Sequence, residues 1–185
     1  FVNKLDRTGA DFARVVAMME ERLGITALPL QLPIGAEGDF RGVVDLLGMR
    51  ALVWDKDDAS APLRVADVPA ELQDEARRAR VRLVEAVVEQ DDTLLDAWLR
   101  GDEIPLESLR AGLRAGTLAS AFVPVLAGSA FKNRGVEPLL DAVVDYLPCP
   151  GETNHEDEAL NADPDAPFAA LAFKVVADDH GAMTF

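Results

Sequence analysis

Ala121-Phe122-Val123-Pro124-Val125-Leu126-Ala127, followed at once by Gly128-Ser129-Ala130-Phe131-Lys132, is the stretch whose reading decides the fold. A run of apolar residues closed by a Gly-Ser turn is the signature of a strand buried on both faces, as in a sheet covered by helices. Phe1-Val2 reads as the tail of a second such strand, and Asn3-Lys4-Leu5-Asp6 follows it. Open α/β sheets bind their ligands outside the carboxyl ends of strands. Two loops in that position can therefore face one ligand.

Working outward, Asp11 is a suitable N-cap, and Phe12, Val15, Val16, Met19 and Leu23 share a helical face before Gly24 ends the pattern. Residues 25–34 alternate apolar residues with Pro29, Gln31 and Pro33, a strand-like stretch that its prolines assign to a sheet edge. A second strand is expected over 49–54, with Gly-rich turns between the two. A long helix is predicted over 70–90, with Leu72, Ala76, Leu83 and Val87 inward. Shorter helices follow over 92–100 and 105–115, closed by Gly101 and Gly116. Another helix is expected over 136–147, stopped by Pro148. Residues 150–166 are acidic and rich in Pro and Asn and read as a linker, after which 168–176 and Met183-Thr184-Phe185 read as a β region. Both ends look interrupted, so a fragment of a longer protein is expected.

Composition narrows the function classes. Of 185 residues, 18 are Lys or Arg and 33 are Asp or Glu, a net charge of -15 that repels phosphate backbones. Direct nucleic-acid binding by this segment is not expected. The single cysteine, Cys149, cannot form an internal disulfide and, between Pro148 and Pro150, reads as an exposed loop residue of a reducing, cytoplasmic setting. No run of apolar residues reaches membrane-spanning length, and no signal peptide opens the chain, so no membrane partner is expected. His155 and His180 have no Cys or second His at ligand spacing, so no metal site is expected. Trp54 and Trp98 read as packing residues.

The two loops carry the chemistry. Guanine presents N1–H and an exocyclic amine side by side, and the ionised carboxylate of Asp6 can accept from both. Adenine offers that carboxylate no such pair, which leaves a charge unpaired. Lys4 can lay its aliphatic stem over base and ribose, the Asn3 amide can tie the loop to its neighbours, and Leu5 should point into the core. On the second loop, the Ser129 hydroxyl can orient the Asp6 carboxylate and the Ala130 N–H can donate to guanine O6. Phe131 and Lys132 complete that loop.

Asn-Lys-x-Asp with Ser-Ala-Phe-Lys resembles the guanine-specificity pair of the GTPase superfamily. The longer strings Phe1-Val-Asn-Lys-Leu-Asp-Arg-Thr-Gly-Ala10 and Gly128-Ser-Ala-Phe-Lys-Asn133, with Leu-Leu-Asp-Ala-Val-Val-Asp-Tyr-Leu-Pro ending at Pro148, resemble the elongation factor G family of bacterial translational GTPases. The 126 positions from Asn3 to Ser129 suit that family, whose GTPase domain carries an insert between these motifs.

The resemblance implies an α/β fold: part of a P-loop-GTPase-type sheet lacking its phosphate-binding half, a mixed α/β insert, and the first strands of a β-barrel domain. Residues 1–24 and 121–149 would be the C-terminal half of the GTPase domain, 25–120 the insert, 150–166 a linker, and 167–185 the start of the second domain. The parent would bind GTP and GDP with Mg2+ and hydrolyse GTP on the ribosome to drive translocation of transfer and messenger RNA. No Gly-x-x-x-x-Gly-Lys-Ser/Thr loop occurs, so phosphates and Mg2+ would be held by residues outside this sequence, and the segment alone would be inactive. In the family the insert contacts the stalk protein of the large ribosomal subunit, for which Arg77, Arg78, Arg80 and Arg82 are candidates. The rivals are a sister ribosomal GTPase (a ribosome-protection or release factor) and a non-enzymatic interaction module in which the loops are plain turns.

Overall fold

The computed structural model describes residues 1–55, 62–149, 152, 165, 167–168, 170–178 and 181–184, which form two units, Phe1–Leu147 and Pro148–Phe185. The first unit is built on a short parallel arrangement. Strand β1 (Ala27–Pro29) runs parallel to β6 (Val123–Val125), and Val2 bridges in parallel to Ala127 just beyond. Both loop-bearing strand ends thus leave the sheet side by side. The buried Gln31 side chain extends this pairing by accepting from the Ala127 N–H at 3.1 Å, so a polar group inside the sheet is satisfied. Strand β6 is shorter and less buried than its apolar run predicts: Val123 is 39% exposed and Pro124 half-buried, while Phe122, Val125, Leu126 and Ala127 are buried.

An antiparallel sheet in the order β2-β3-β4-β5 lies between the two halves of that arrangement in sequence. Its strands are Gln31–Ile34, Gly42–Asp45, Arg50–Val53 and Arg64–Ala66. The stretch read as one strand over 25–34 therefore divides between two sheets. Its prolines do lie on strands at sheet ends, Pro29 on β1 and Pro33 on β2. Strand β3 falls where only turns were expected, because Gly42 and Gly48 obscured a short apolar strand in the sequence. Asp45 pairs with Arg50 across the β3–β4 turn, with a 3.1 Å ion pair and an Asp45 side-chain bond from the Leu47 N–H at 3.0 Å.

Among the described residues, five α-helices pack with these strands. Helix α1 (Phe12–Leu23) starts as expected, with Asp11 extended and its carboxylate accepting from the Arg14 N–H at 3.0 Å, and ends on Gly24 in the left-handed region. Phe12 is buried and Val15, Val16 and Met19 pack beside it, but Leu23, one helical turn beyond Met19, is 67% exposed. Helix α2 (Gln73–Val88), preceded by a 3-10 turn over Ala70–Leu72, buries Ala76, Ala79, Leu83, Val84, Val87 and Val88. Helix α3 (Asp92–Leu99) is capped by the Asp91 carboxylate. Helix α4 (Leu106–Leu118) runs through Gly116 instead of stopping there. A methyl group at Gly116 would stand 2.3 Å from the ring of buried Phe122, so this glycine serves a close approach and not a helix end. Helix α5 is Val136–Tyr146.

Two apolar clusters result. One joins α2 and α4 to the β2–β4 sheet through Leu46, Leu83, Leu109 and Leu113. The other gathers Val2, Leu5, Phe12, Phe40, Val43, Trp54 and Val125 beneath the two loops. Complete burial of a side chain such as Phe40 stabilises by roughly 1.5–3 kcal/mol. The second unit contributes a hairpin of β7 (Val175–Asp178) and β8 (Gly181–Thr184). Strand structure thus begins at Val175 and not at Phe168. His155, His180 and most of the acidic stretch 150–166 lie outside the described residues.

Candidate functional site

The two loops meet. Val2 N–H donates to Leu126 O at 2.8 Å and Gly128 N–H to Val2 O at 3.0 Å, which fixes the strand ends in register. Leu5 N–H then donates to Gly128 O at 3.2 Å, with the Leu5 side chain 3% exposed in the lower cluster. That burial anchors the middle of the first loop, so Lys4 and Asp6 on either side face outward. Lys4 itself sits at φ 65, a left-handed conformation uncommon outside glycine. Asn3 supports it: its side-chain oxygen accepts from the Lys4 N–H at 2.8 Å.

The central contact is the Ser129 hydroxyl donating to Asp6 Oδ1 at 2.6 Å, across 123 positions of sequence. Ser129 is 1% exposed and Asp6 half-buried, so the bond forms at the edge of the solvent with its donor fully enclosed. This bond is the main reason the Asp6 carboxyl titrates below its ordinary value of 3.8. Burial opposes the shift, and a backbone N–H with the charges of Arg7 and Lys132 adds to it. At neutral pH Asp6 is therefore ionised with one oxygen held by Ser129, the state in which a carboxylate can accept from two adjacent donors.

The Ala130 N–H is engaged within the chain. It donates to the Asn3 side-chain oxygen at 3.0 Å, so Asn3 bridges both loops and holds the donor that the sequence reading gave to a ligand. Phe131 is 87% exposed, with the Lys132 ammonium 5.8 Å from its ring centroid. The second loop is closed by paired backbone bonds between Ser129 and Arg134, of 2.8 and 3.0 Å, around a 3-10 turn over Ala130–Lys132 that ends with Asn133 at φ 50.

Two residues of this region escaped the sequence reading. Arg134 is 5% exposed, and its guanidinium donates to the carbonyls of Phe40 and, at 3.4 Å, Asp55. Glu37, at φ 51, accepts from the Gly9 N–H at 2.7 Å just after the first loop. The available signal was Arg134-Gly135: Gly135 sits at φ 82, where a side chain would meet Ala127 O at 2.5 Å. Of the four arginines on this helix, Arg80 is tied within the chain. Its guanidinium donates to Leu46 O and Leu47 O, both at 2.6 Å, which makes it a tie between α2 and the β3–β4 turn. Arg77, Arg78 and Arg82 are exposed, Arg77 within 3.4 Å of Asp74.

Among the described residues no group of three or more His, Cys, Asp or Glu is placed to hold a metal, and no helix is long and apolar enough to cross a membrane.

Comparison with known proteins adds to the geometry. The family model for the elongation factor Tu GTP binding domain matches residues 1–149. Elongation factor G of Neorickettsia sennetsu is 49% identical over 194 aligned positions, which take in all of this chain and 28% of that protein. A crystal structure of a Thermus thermophilus protein superposes with a TM-score of 0.70 at 31% identity, covering 81% of this chain and 22% of that one.

Proposed function

The chain belongs to the family of the elongation factor Tu GTP-binding domain, and on that premise we propose that it is the guanine-recognising part of a bacterial translocation GTPase of the elongation factor G type. The observation that carries the reading is the Ser129–Asp6 bond at 2.6 Å, which joins the two motif loops around a single ionised carboxylate. Asp6 would accept from guanine N1–H and the exocyclic amine, with Ser129 holding its other lone pairs in line. Lys4 would cover the base with its stem, Leu5 anchor the loop, and Phe131 and Lys132 flank the entry. Asn3 and Ala130 already bond to each other, so Ala130 would turn its N–H to guanine O6 only as the Asn3 oxygen yields it.

The chain spans about 28% of the curated relative's length, so the activity of the whole protein is part of this proposal. It would bind GTP and GDP and hydrolyse GTP on the ribosome, in the cytoplasm, to move transfer and messenger RNA. Bound Mg2+ would neutralise phosphate charge in that reaction. No Gly-x-x-x-x-Gly-Lys-Ser/Thr loop occurs in this sequence, so the residues here would select the base while phosphates and Mg2+ would be held by other residues of the protein. We assign 1–24 and 121–149 to the GTPase domain, 25–120 to its insert, 150–166 to a linker and 167–185 to the start of a β-barrel domain. The exposed Arg77, Arg78 and Arg82 on α2 are the proposed contact to an acidic ribosomal stalk protein. Charge reversal at these three positions should weaken that binding.

The test is Asp6→Asn in the full-length protein, with GDP, XDP and ADP compared by calorimetry. The amide loses guanine's two donors but can donate to the 2-oxo group of xanthine, so preference should move to XDP. Unchanged GDP affinity would overturn the role of Asp6, and equal binding of GDP and ADP by the parent would favour the interaction-module reading.

A further inference from the structure

The segment from Glu37 to Asp55 bonds to the chain just after each motif loop, at Gly9 and at Arg134. At its start, the Glu37 carboxylate accepts from the Gly9 N–H at 2.7 Å, and Arg14 returns to the same turn through a 3.0 Å bond to Gly9 O. Further along, the carbonyls of Phe40 and Asp55 accept from Arg134, whose own backbone closes the Ser129 loop. At the far side, Trp54 Nε1–H donates to Glu137 Oε2 at 3.2 Å, on the first turn of the helix that follows that loop. Phe40 is completely buried between these contacts, and Arg41 N–H and Trp54 N–H tie the segment to Ile34 and Arg41 carbonyls.

The backbone supports a positioning role. Glu37 and Asn133 occupy left-handed conformations at φ 51 and 50; Glu37 itself makes the first of these contacts and Asn133 precedes Arg134, which makes the second. Non-glycine residues persist in that region only where their surroundings hold them. A local turn preference accounts for an Asn there, and far less well for Glu.

We propose that Glu37 and Arg134 are positioning residues for the guanine nucleotide, a brace through which the four-stranded sheet sets how firmly the two loops close on the base. The inference rests on the reading of Asp6 and Ser129 as the guanine site. Glu37 fixes the turn that ends the Asp6 loop, and Arg134 fixes the floor of the Ser129 loop. Neither touches the base. Loss of either brace lets the two halves of the site drift apart, so the nucleotide leaves faster and the carboxylate reads the 2-amino group less well.

The experiment is stopped-flow release of a fluorescent GDP from the full-length protein, together with the affinity ratio of GDP to IDP, which lacks the 2-amino group. Glu37→Ala should speed release about fivefold, the effect of losing one solvent-edge bond to a charged acceptor, and lower the GDP:IDP ratio. Glu37→Gln, which keeps an acceptor oxygen, should recover most of both. Arg134→Lys, which keeps a single ammonium donor, should shift both readouts in the same direction. Because Glu37 is exposed, its replacement leaves folding intact even where that of the buried Arg134 does not. Faster release with an unchanged GDP:IDP ratio would overturn the positioning role and leave a general loosening. Asp6→Asn serves as the control: if it abolishes the GDP:IDP difference while Glu37→Ala changes neither readout, the brace is wrong and the guanine site stands. If Asp6→Asn leaves that difference intact, the site itself is wrong and the brace falls with it.

Discussion

Replacing Ser129 by Ala removes one atom, and the structure says what that atom does. The Oγ of Ser129 is enclosed and donates to Asp6 Oδ1 at 2.6 Å, a short charge-assisted bond. Such bonds contribute roughly 1.5–3 kcal/mol net, and since water reaches the half-buried Asp6 to replace part of what is lost, the low end, about 1.5 kcal/mol, is expected. For a unit of this size that corresponds to a drop of about 3–6 °C in melting temperature. The sign of the pH dependence follows from the Asp6 carboxyl, which titrates below 3.8 in the folded state. The unfolded chain takes up its proton first as pH falls, so this stabilisation is fully present above 3.8 and disappears as pH drops through the lower folded value. The difference between wild type and Ser129→Ala should therefore be full at neutral pH and shrink in acid. Thermal melts across that range, with a carbon-detected NMR titration of the Asp6 carboxyl, provide the assay. The Asp6 value should rise toward 3.8 in the variant, because the largest cause of its depression is gone. A variant with the wild-type melting temperature at neutral pH and an unmoved Asp6 titration refutes the reasoning.

Gly116→Ala should destabilise by about 1–3 kcal/mol in chemical denaturation, since overlap with the Phe122 ring outweighs the gain of about 1 kcal/mol that alanine brings to an open helix position. The single tyrosine, Tyr146, is pushed up to about 12, first by burial and then by Asp145 and Asp45, with Arg110 opposing. Its phenolate absorbance should appear well above pH 10 in the folded chain, and stability should fall as pH rises from about 10 toward 12, because the unfolded phenol ionises first. Phenolate appearing at pH 10 without unfolding would contradict that burial. Arg80→Ala should lower the melting temperature of the chain, having lost its two carbonyl contacts at 2.6 Å, whereas Arg78→Ala, exposed on the same helix, should leave it unchanged.

The sequence by itself determined what depends on near neighbours. Asp11 and Gly24 delimit α1, the apolar spacing of α2 selects Ala76, Leu83 and Val87 for the core, and the two strand-to-loop transitions put Asp6 and Ser129 where they can meet. These follow from backbone preference and side-chain periodicity, which act over a few residues. Tertiary structure alone decided the rest. Gly116 looks like a helix end until Phe122 is packed against it, and Leu23 fits the helical face but falls beyond the surface that covers its neighbours. Arg134 escapes the sequence reading, and it is buried with its guanidinium donating to carbonyls 94 and 79 positions away. Ala130 reads as a free donor until Asn3, 127 positions distant, accepts its N–H. A buried charge or a backbone donor is defined by whichever groups the fold brings beside it, and no local pattern carries that information.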